Sequence, residues 1–194
     1  MSGLGMSGVV GLTVLLGGAR SGKSSLAVDI GERYDGPVTY IATAPALDDD
    51  MAERIERHIA ERPPEWTTIE ERTDLVGAMV AAGDSLAIID CLTLWTSNMM
   101  WEGRSDGEIQ RRALEAARHA AVRSAPVVVV TNEVGLGVHP ETELGRRYRD
   151  VLGRVNQAWV GESTRSLFLV AGRAFALRDP LHYFAADSGE HLDP

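Results

Sequence analysis

Several residue types and patterns are scarce in this sequence, and each shortage excludes a class of protein. Cys91 is the only cysteine, so no disulfide bond can form within the chain, and a reducing cytoplasm is the expected compartment. No stretch approaches the ~18 consecutive apolar residues that suggest a membrane-spanning helix. Lysine and arginine number 19 against 28 aspartates and glutamates, and the net charge of -9 argues against broad binding of nucleic acid or anionic membranes.

The apolar content that is present suits one domain with a substantial core. Of the 194 residues, 44% are hydrophobic and 24% charged, which predicts a single domain over residues 11–186. The Gly- and Ser-rich residues 1–10 contain no lysine or arginine, so they do not resemble a signal peptide and are expected to form a flexible extension. The polar residues 187–194 are expected to form a flexible tail.

Short runs of valine, leucine and isoleucine alternate with helical patterns along the chain. Buried strands are predicted over 11–16, 38–42, 86–90, 127–131 and 167–171. Helices are predicted over 24–34, 48–62, 108–123 and 144–160. In the last helix, the apolar period places Leu144 and Trp159 on the buried stripe. This alternation predicts an α/β fold with a mainly parallel sheet covered by helices on both faces, in which ligands bind beyond the carboxyl ends of the strands.

One glycine-rich segment lies between a predicted strand and a predicted helix. It matches the pattern G-x-x-x-x-G-K-S of a P-loop, and its residues are Gly17, Gly18, Ala19, Arg20, Ser21, Gly22, Lys23 and Ser24. The glycines let backbone N–H groups curl round a polyphosphate, and the helix that follows adds its positive end. Lys23 is expected to reach the outer phosphates, and the Ser24 hydroxyl to ligate Mg²⁺. The segment predicts a site for the phosphates of a purine nucleotide, and the alternative is a glycine-rich turn with an incidental lysine.

Two acidic residues end predicted strands at the same edge of the sheet. Asp90 closes the run Leu86-Ala87-Ile88-Ile89 and is expected to be a second anchor for Mg²⁺, as in P-loop enzymes, or else to cap the segment that follows. Glu133 follows the next strand. Its carboxylate could orient or deprotonate an acceptor hydroxyl, or it could accept a hydrogen bond that shapes the loop.

The predicted helix over 48–62 carries a less common pattern. Arg54, His58 and Arg62 are spaced i, i+4, i+8 and form one ridge, beside an apolar stripe. Two flanking arginines disfavour a third positive charge, which keeps the imidazole of His58 neutral and able to attack an α-phosphorus. The arginines would then hold the triphosphate. The alternative is a solvated basic face with a structural histidine.

With these blocks in view, the sequence resembles the bifunctional adenosylcobinamide kinase / adenosylcobinamide-phosphate guanylyltransferases of cobalamin biosynthesis. The resemblance covers nearly the whole chain from about Leu12 to Leu177. It rests on residues 17–24, 40–44, 47–51, 54–58, 62–63, 66–70, 90–95, 97–98, 131–137, 140 and 148–157. The P-loop alone is unspecific, whereas T-N-E-V-G-L-G, G-R-V-N-Q and the histidine-bearing helix together are highly specific.

The resemblance implies two reactions on one chain. A kinase reaction transfers the γ-phosphoryl of ATP or GTP to the aminopropanol hydroxyl of adenosylcobinamide. A second reaction moves GMP from GTP onto a histidine, releases pyrophosphate, and passes GMP to adenosylcobinamide phosphate to give adenosylcobinamide-GDP. Relatives are similar to RecA-like folds and assemble as trimers, so a homotrimer is expected. A corrinoid and nucleotides are the implied partners, with no nucleic acid and no membrane.

The resemblance also implies site residues. Besides the P-loop, family members bind nucleotide through positions that match Ala42, Thr43, Ala44, Ile59, Ala60, Glu61, Arg62, Glu70 and Asp90. Some relatives carry two adjacent histidines where this chain has Arg57-His58, so His58 is the candidate nucleophile. If the nucleophile were the position that is Arg57 here, the chain could not guanylylate by that route. Two further readings stay open: a P-loop kinase with one activity, and a RecA-like ATPase acting as a motor or regulatory module.

Overall fold

The computed structural model describes residues 10–44 and 62–184, and in that part of the chain seven strands form one sheet. The strands are β1 (Leu12–Gly17), β2 (Val38–Ala42), β3 (Thr67–Glu70), β4 (Leu86–Asp90), β5 (Val127–Val130), β6 (Arg165–Val170) and β7 (Arg173–Ala176). Their order across the sheet is β3-β2-β4-β5-β1-β6-β7. All neighbours are parallel except β6 and β7, which form an antiparallel pair.

Helices cover both faces of this sheet. The described helices are α1 (Lys23–Glu32), α2 (Leu75–Ala81), α3 (Leu92–Trp101), α4 (Asp106–Val122) and α5 (Glu143–Gly161), with a 3₁₀ turn at Pro180–Tyr183. Ala27 and Ile30 of α1 pack on one face, against alternate strand residues such as Ile88. The other four helices pack on the opposite face, where Ile89 and Trp159 are buried. The predicted α/β class, with a mainly parallel sheet and helices on both faces, is confirmed.

Local sequence explains where several of these helices begin. Side-chain oxygens of Asp74, Ser105 and Thr142 accept hydrogen bonds from backbone N–H groups in the first turns of α2, α4 and α5, which supplies acceptors that a helix start otherwise lacks. Strands β4 and β5 read as unbroken apolar runs because helices cover both of their faces. None of the described helices is long and apolar enough to cross a membrane.

The predicted strands over 38–42 and 86–90 match β2 and β4, and the other predicted strands and helices that can be compared lie within one or two residues of those observed. Three of the missed elements are short or at the sheet edges: β3, β7 and α2. The fourth, α3, carries apolar residues on more than one face, so its sequence shows only a weak helical period. Leu144 was predicted on the buried stripe of α5, but it is 65% exposed because it lies in the first turn, beside an open groove. The predicted helix over 48–62 falls outside the described residues except for Arg62, which lies in neither helix nor strand.

Candidate nucleotide site at the carboxyl edge of the sheet

The predicted P-loop joins β1 directly to α1. Gly17 has φ 150°, and a Cβ on it would collide with the carbonyl oxygen of Leu169 and approach the Ser21 Oγ to 2.9 Å. Gly22 precedes α1 with φ 99°, a conformation that other residues rarely adopt. The two glycines are therefore required by crowding and by backbone conformation, as expected for a loop that wraps tightly round a phosphate.

Lys23 is folded into this loop and not extended into solvent. Its Nζ donates hydrogen bonds to the Gly18 carbonyl at 2.6 Å and to the Ser21 Oγ at 3.1 Å, and the residue is only 6% exposed. Within 10–44 and 62–184 the third ammonium proton has no acceptor. Burial lowers the pKa of Lys23, and the negative charge of Asp90 opposes that shift by favouring the ammonium form. A buried cation with an unused donor suits an anionic ligand.

Asp90 lies at the tip of β4 and is held by a tyrosine. The Tyr40 hydroxyl donates a 2.6 Å hydrogen bond to Asp90 Oδ2, and burial together with the Asp90 carboxylate raises the pKa of Tyr40, which keeps it a donor. The alternative that Asp90 caps the next helix is wrong: the residue before α3 is Cys91, and α3 has no side-chain cap. The carboxylate is thus oriented by β2 toward the edge where the P-loop lies.

Arg62 covers the same tyrosine from the other side. Its guanidinium carbon lies 3.4 Å from the centroid of the Tyr40 ring. Its Nε and Nη1 are buried, and neither has a hydrogen-bond partner in the structure as described. Burying a charged donor without a partner costs several kcal/mol, and an anion that accepts its hydrogen bonds offsets that cost. This pair of N–H groups therefore fits a phosphate or carboxylate ligand.

A second polar network builds the floor of the site. The Thr43 Oγ1 donates to the Cys91 carbonyl at 2.8 Å and accepts from the Cys91 N–H at 2.7 Å, and Asn98 Nδ2 donates to the Thr43 carbonyl at 2.9 Å. Thr43 is fully buried. Its side chain ties β2 to the start of α3, and its contact with nucleotide stays a prediction.

Glu133 follows β5 and contacts the P-loop through its backbone. Its N–H donates to the Gly17 carbonyl at 3.1 Å, and its Oε1 accepts from the Gly135 N–H at 2.6 Å. One carboxylate oxygen of Glu133 thus accepts a hydrogen bond that shapes the loop, which was the alternative role considered for this residue. The residue is only half-buried, so the other carboxylate oxygen stays accessible, and its role toward a substrate hydroxyl stays a prediction.

Sequence reasoning did not assign roles to Tyr40, Asn98 or Asn156, although all three lie inside the blocks that carry the family resemblance. Asn156 of α5 accepts from the Thr131 hydroxyl at 2.7 Å and donates to the Asn132 carbonyl at 3.0 Å. It therefore holds the end of β5 from which Glu133 projects. The sequence marked these residues only by placing them in blocks that match the family. The tertiary contacts are needed to show which partner each residue binds.

The other predicted residues divide into two groups. Ala42 and Glu70 are register partners at the ends of β2 and β3, Arg20 lies in the P-loop with φ 58°, and Ala44 ends the first described segment. These four residues lie at the same carboxyl edge of the sheet as the P-loop and Asp90. The predicted residues Arg54, His58, Ile59, Ala60 and Glu61 lie outside the described residues.

The described residues contain no group of three or more histidine, cysteine, aspartate or glutamate side chains that could hold a metal ion. The oxygen donors near the P-loop are the Ser24 hydroxyl and the Asp90 carboxylate, which are hard ligands of the kind Mg²⁺ prefers. Two protein oxygens suit an ion that takes most of its coordination from phosphate and water.

The sequence and the fold are similar to those of known proteins. A family model described as cobinamide kinase / cobinamide phosphate guanyltransferase matches residues 13–177. The bifunctional adenosylcobalamin biosynthesis protein CobP of Pseudomonas aeruginosa is 40% identical over 174 residues, covering 87% of this chain and 98% of that protein. The bifunctional adenosylcobalamin biosynthesis protein CobU of Escherichia coli is 37% identical over 177 residues, covering 83% and 96%. A solved structure from Pyrococcus horikoshii OT3, 7% identical, shares the fold with a TM-score of 0.52 over 86% of this chain and 85% of that one.

Proposed function

This chain belongs to the cobinamide kinase / cobinamide phosphate guanyltransferase family, and we propose that it catalyses both reactions in adenosylcobalamin biosynthesis. It phosphorylates adenosylcobinamide with ATP or GTP and then transfers GMP from GTP to the phosphorylated product. The observation that carries the proposal is the buried Lys23 inside a P-loop, at the same sheet edge as the oriented carboxylate of Asp90.

In the kinase reaction, the corrinoid hydroxyl oxygen forms a bond to the γ-phosphorus while the bond to the β-phosphate oxygen breaks and a nucleoside diphosphate leaves. P-loop N–H groups and the Lys23 ammonium hold the phosphates and offset the charge that spreads over the transferred group. The free oxygen of Glu133 takes the hydroxyl proton. Ser24 and Asp90 would hold Mg²⁺, which when bound neutralises charge on the β- and γ-phosphates.

In the guanylyl transfer, His58 is the proposed carrier of GMP. Its unprotonated ring nitrogen bonds to the α-phosphorus and pyrophosphate leaves, after which a phosphate oxygen of the corrinoid displaces the histidine. The described residues on either side of the segment 45–61 support this. Ala44 follows Thr43, which is tied to Cys91, and Arg62 stacks on Tyr40 beside Asp90. The described residues that flank the segment carrying Arg54 and His58 are therefore both held next to the phosphate site.

Incubation with GTP labelled at the α-phosphate tests this proposal. Covalent label that is acid-labile and base-stable marks a phosphoramidate and excludes both a single-activity kinase and a RecA-like ATPase. Absence of covalent label, with cobinamide phosphorylation intact, would leave the single-activity kinase as the better account. The homotrimer and the cytoplasmic location stay predictions.

Asp90→Asn should raise the Mg²⁺ concentration needed for half-maximal kinase activity by about ten-fold or more and slow turnover, with folding intact. The change keeps the shape of the side chain and removes its charge. The measurement is a Mg²⁺ titration of the kinase rate. Asp84→Asn is the matched control, because Asp84 lies at the opposite edge of the sheet and contacts Ser124. An unchanged Mg²⁺ dependence would leave Asp90 only as the acceptor of the Tyr40 hydroxyl.

Tyr40→Phe removes the donor that orients Asp90 and leaves the ring under Arg62 in place. Because a hydrogen bond to a charged group contributes about 1.5–3 kcal/mol, we expect kinase kcat to fall by roughly ten-fold. Combining Tyr40→Phe with Asp90→Asn should give less than the sum of the two effects on activation free energy, since both changes act through one carboxylate. Tyr34→Phe, outside the site, is the control. Fully additive effects would contradict the positioning role.

A further inference from the structure

An open groove lies between the last turns of α3 and the first turn of α5. Its volume is about 630 Å³, within the roughly 300–1,000 Å³ of small-molecule sites. Met100, Trp101, Leu144 and Tyr148 supply apolar walls, and Ser97 and Thr142 supply hydroxyls. Trp101 is 93% exposed and Leu144 65% exposed, so two large apolar side chains face solvent at one place.

The groove is connected to the nucleotide site by a short chain of hydrogen bonds. The Tyr148 hydroxyl, in the groove wall, donates to the Thr93 carbonyl at 3.0 Å. The Thr93 Oγ1 accepts from the Asn132 N–H at 2.9 Å, and the next residue, Glu133, donates its N–H to Gly17 of the P-loop. Along α3, Ser97 lies about 6 Å from Thr93 and Trp101 about 12 Å, at 1.5 Å per residue. Thr93 therefore contacts both the groove wall, through Tyr148, and Asn132, the residue that precedes Glu133.

We propose that this groove binds the corrin macrocycle of the acceptor substrate, an inference that rests on the proposed function. The macrocycle is broad and largely flat, so one of its faces can lie against Trp101 and Leu144, while amide groups at its rim can hydrogen-bond to Ser97 and Thr142. The hydroxyl that accepts phosphate is at the end of a flexible arm. The arm follows the path over Thr93 and Asn132 toward Glu133 and the γ-phosphate.

The position of the groove favours this occupant over a protein partner. It opens at the sheet edge that carries the P-loop, where both substrates of a transfer reaction must meet. The nucleotide site and the groove are separate, with the first turn of α3 between them, so both substrates can be bound together.

The test compares Trp101→Ala and Leu144→Ser with wild type in the kinase assay. We expect each change to raise the KM for adenosylcobinamide by about ten-fold or more, and to leave kcat at saturating corrinoid and the KM for ATP and GTP within two-fold. The formation of the covalent GMP adduct, which needs no corrinoid, should be unchanged. Both side chains are exposed, so neither variant is expected to lose stability, which thermal unfolding checks.

Val122→Ala is the matched control, because Val122 is 81% exposed but lies where α4 meets the opposite edge of the sheet. An unchanged corrinoid KM in both groove variants would overturn the proposal. Equilibrium dialysis of adenosylcobinamide against wild type and variants keeps the two proposals distinguishable. A wild-type protein that binds corrinoid through Trp101 but does not phosphorylate it would contradict the proposed function alone, whereas binding that is equal in wild type and both variants would contradict the groove.

Discussion

Lys23→Ala should lower the rate of cobinamide phosphorylation by about 10²–10³-fold or more, because charge developing on the transferred phosphoryl loses its fixed cation. The Nζ lies within the loop, bonded to Gly18 and Ser21, so no reorganisation is needed to present it. The measurement is initial rate with γ-labelled ATP and with γ-labelled GTP at saturating corrinoid. Turnover within a few-fold of wild type would refute the assignment.

Lys23→Arg is the matched control for charge. It keeps the positive charge but places a planar fork where the buried site holds a compact ammonium, so we expect partial activity at most. Lys23 is also the only lysine in the sequence, the other basic residues being arginines. An amine-reactive label therefore reports on Lys23 and the amino terminus alone. ATP or GTP should slow labelling of Lys23, and labelling that nucleotide leaves unchanged would place the phosphates elsewhere.

The P-loop could be predicted because all of its phosphate-binding residues are consecutive, in eight positions between a recognisable strand and a recognisable helix. Asp90 could be predicted for a related reason: it ends an apolar run, and the carboxyl ends of parallel strands meet at one edge of the sheet. Both predictions use local sequence and one rule of topology, and both residues lie where the rule puts them.

The contacts that orient these residues could not be predicted in this way. The Tyr40 hydroxyl reaches Asp90 across 50 positions of sequence, and Asn156 reaches Thr131 across 25. Such pairs depend on strand order and helix docking, which the apolar pattern does not encode residue by residue. The edge strands β3 and β7 were missed because their side chains are mostly exposed and so lack an apolar run. Leu144 shows the opposite error, since a helical period says nothing about whether a partner covers the first turn.

His58→Ala should eliminate the covalent GMP adduct and the guanylyl transfer while leaving phosphorylation of adenosylcobinamide within a few-fold of wild type. In the predicted helix, Arg54 lies one turn before His58, and Arg62 follows the segment and stacks on Tyr40 beside Asp90. Cations near His58 would both disfavour protonation of the imidazole and offset the phosphate charge that repels a nucleophile. The γ-phosphoryl transfer needs none of this, since Lys23, Ser24 and Mg²⁺ serve it. The measurement is adduct formation from α-labelled GTP beside a kinase assay on each variant.

Two controls make the His58 result specific. Arg57→Ala should leave the adduct in place, because neighbouring side chains on a helix point about 100° apart. His139→Ala should also leave it in place: His139 is in the loop after β5, at the same edge of the sheet, and its Nδ1 is paired with Arg149 at 2.9 Å. Adduct that persists in His58→Ala but disappears in His139→Ala would move the nucleophile to that loop. Loss of both activities in His58→Ala would instead indicate a structural role for the histidine, because a nucleophile that serves only the α-phosphorus cannot affect the γ-phosphoryl transfer.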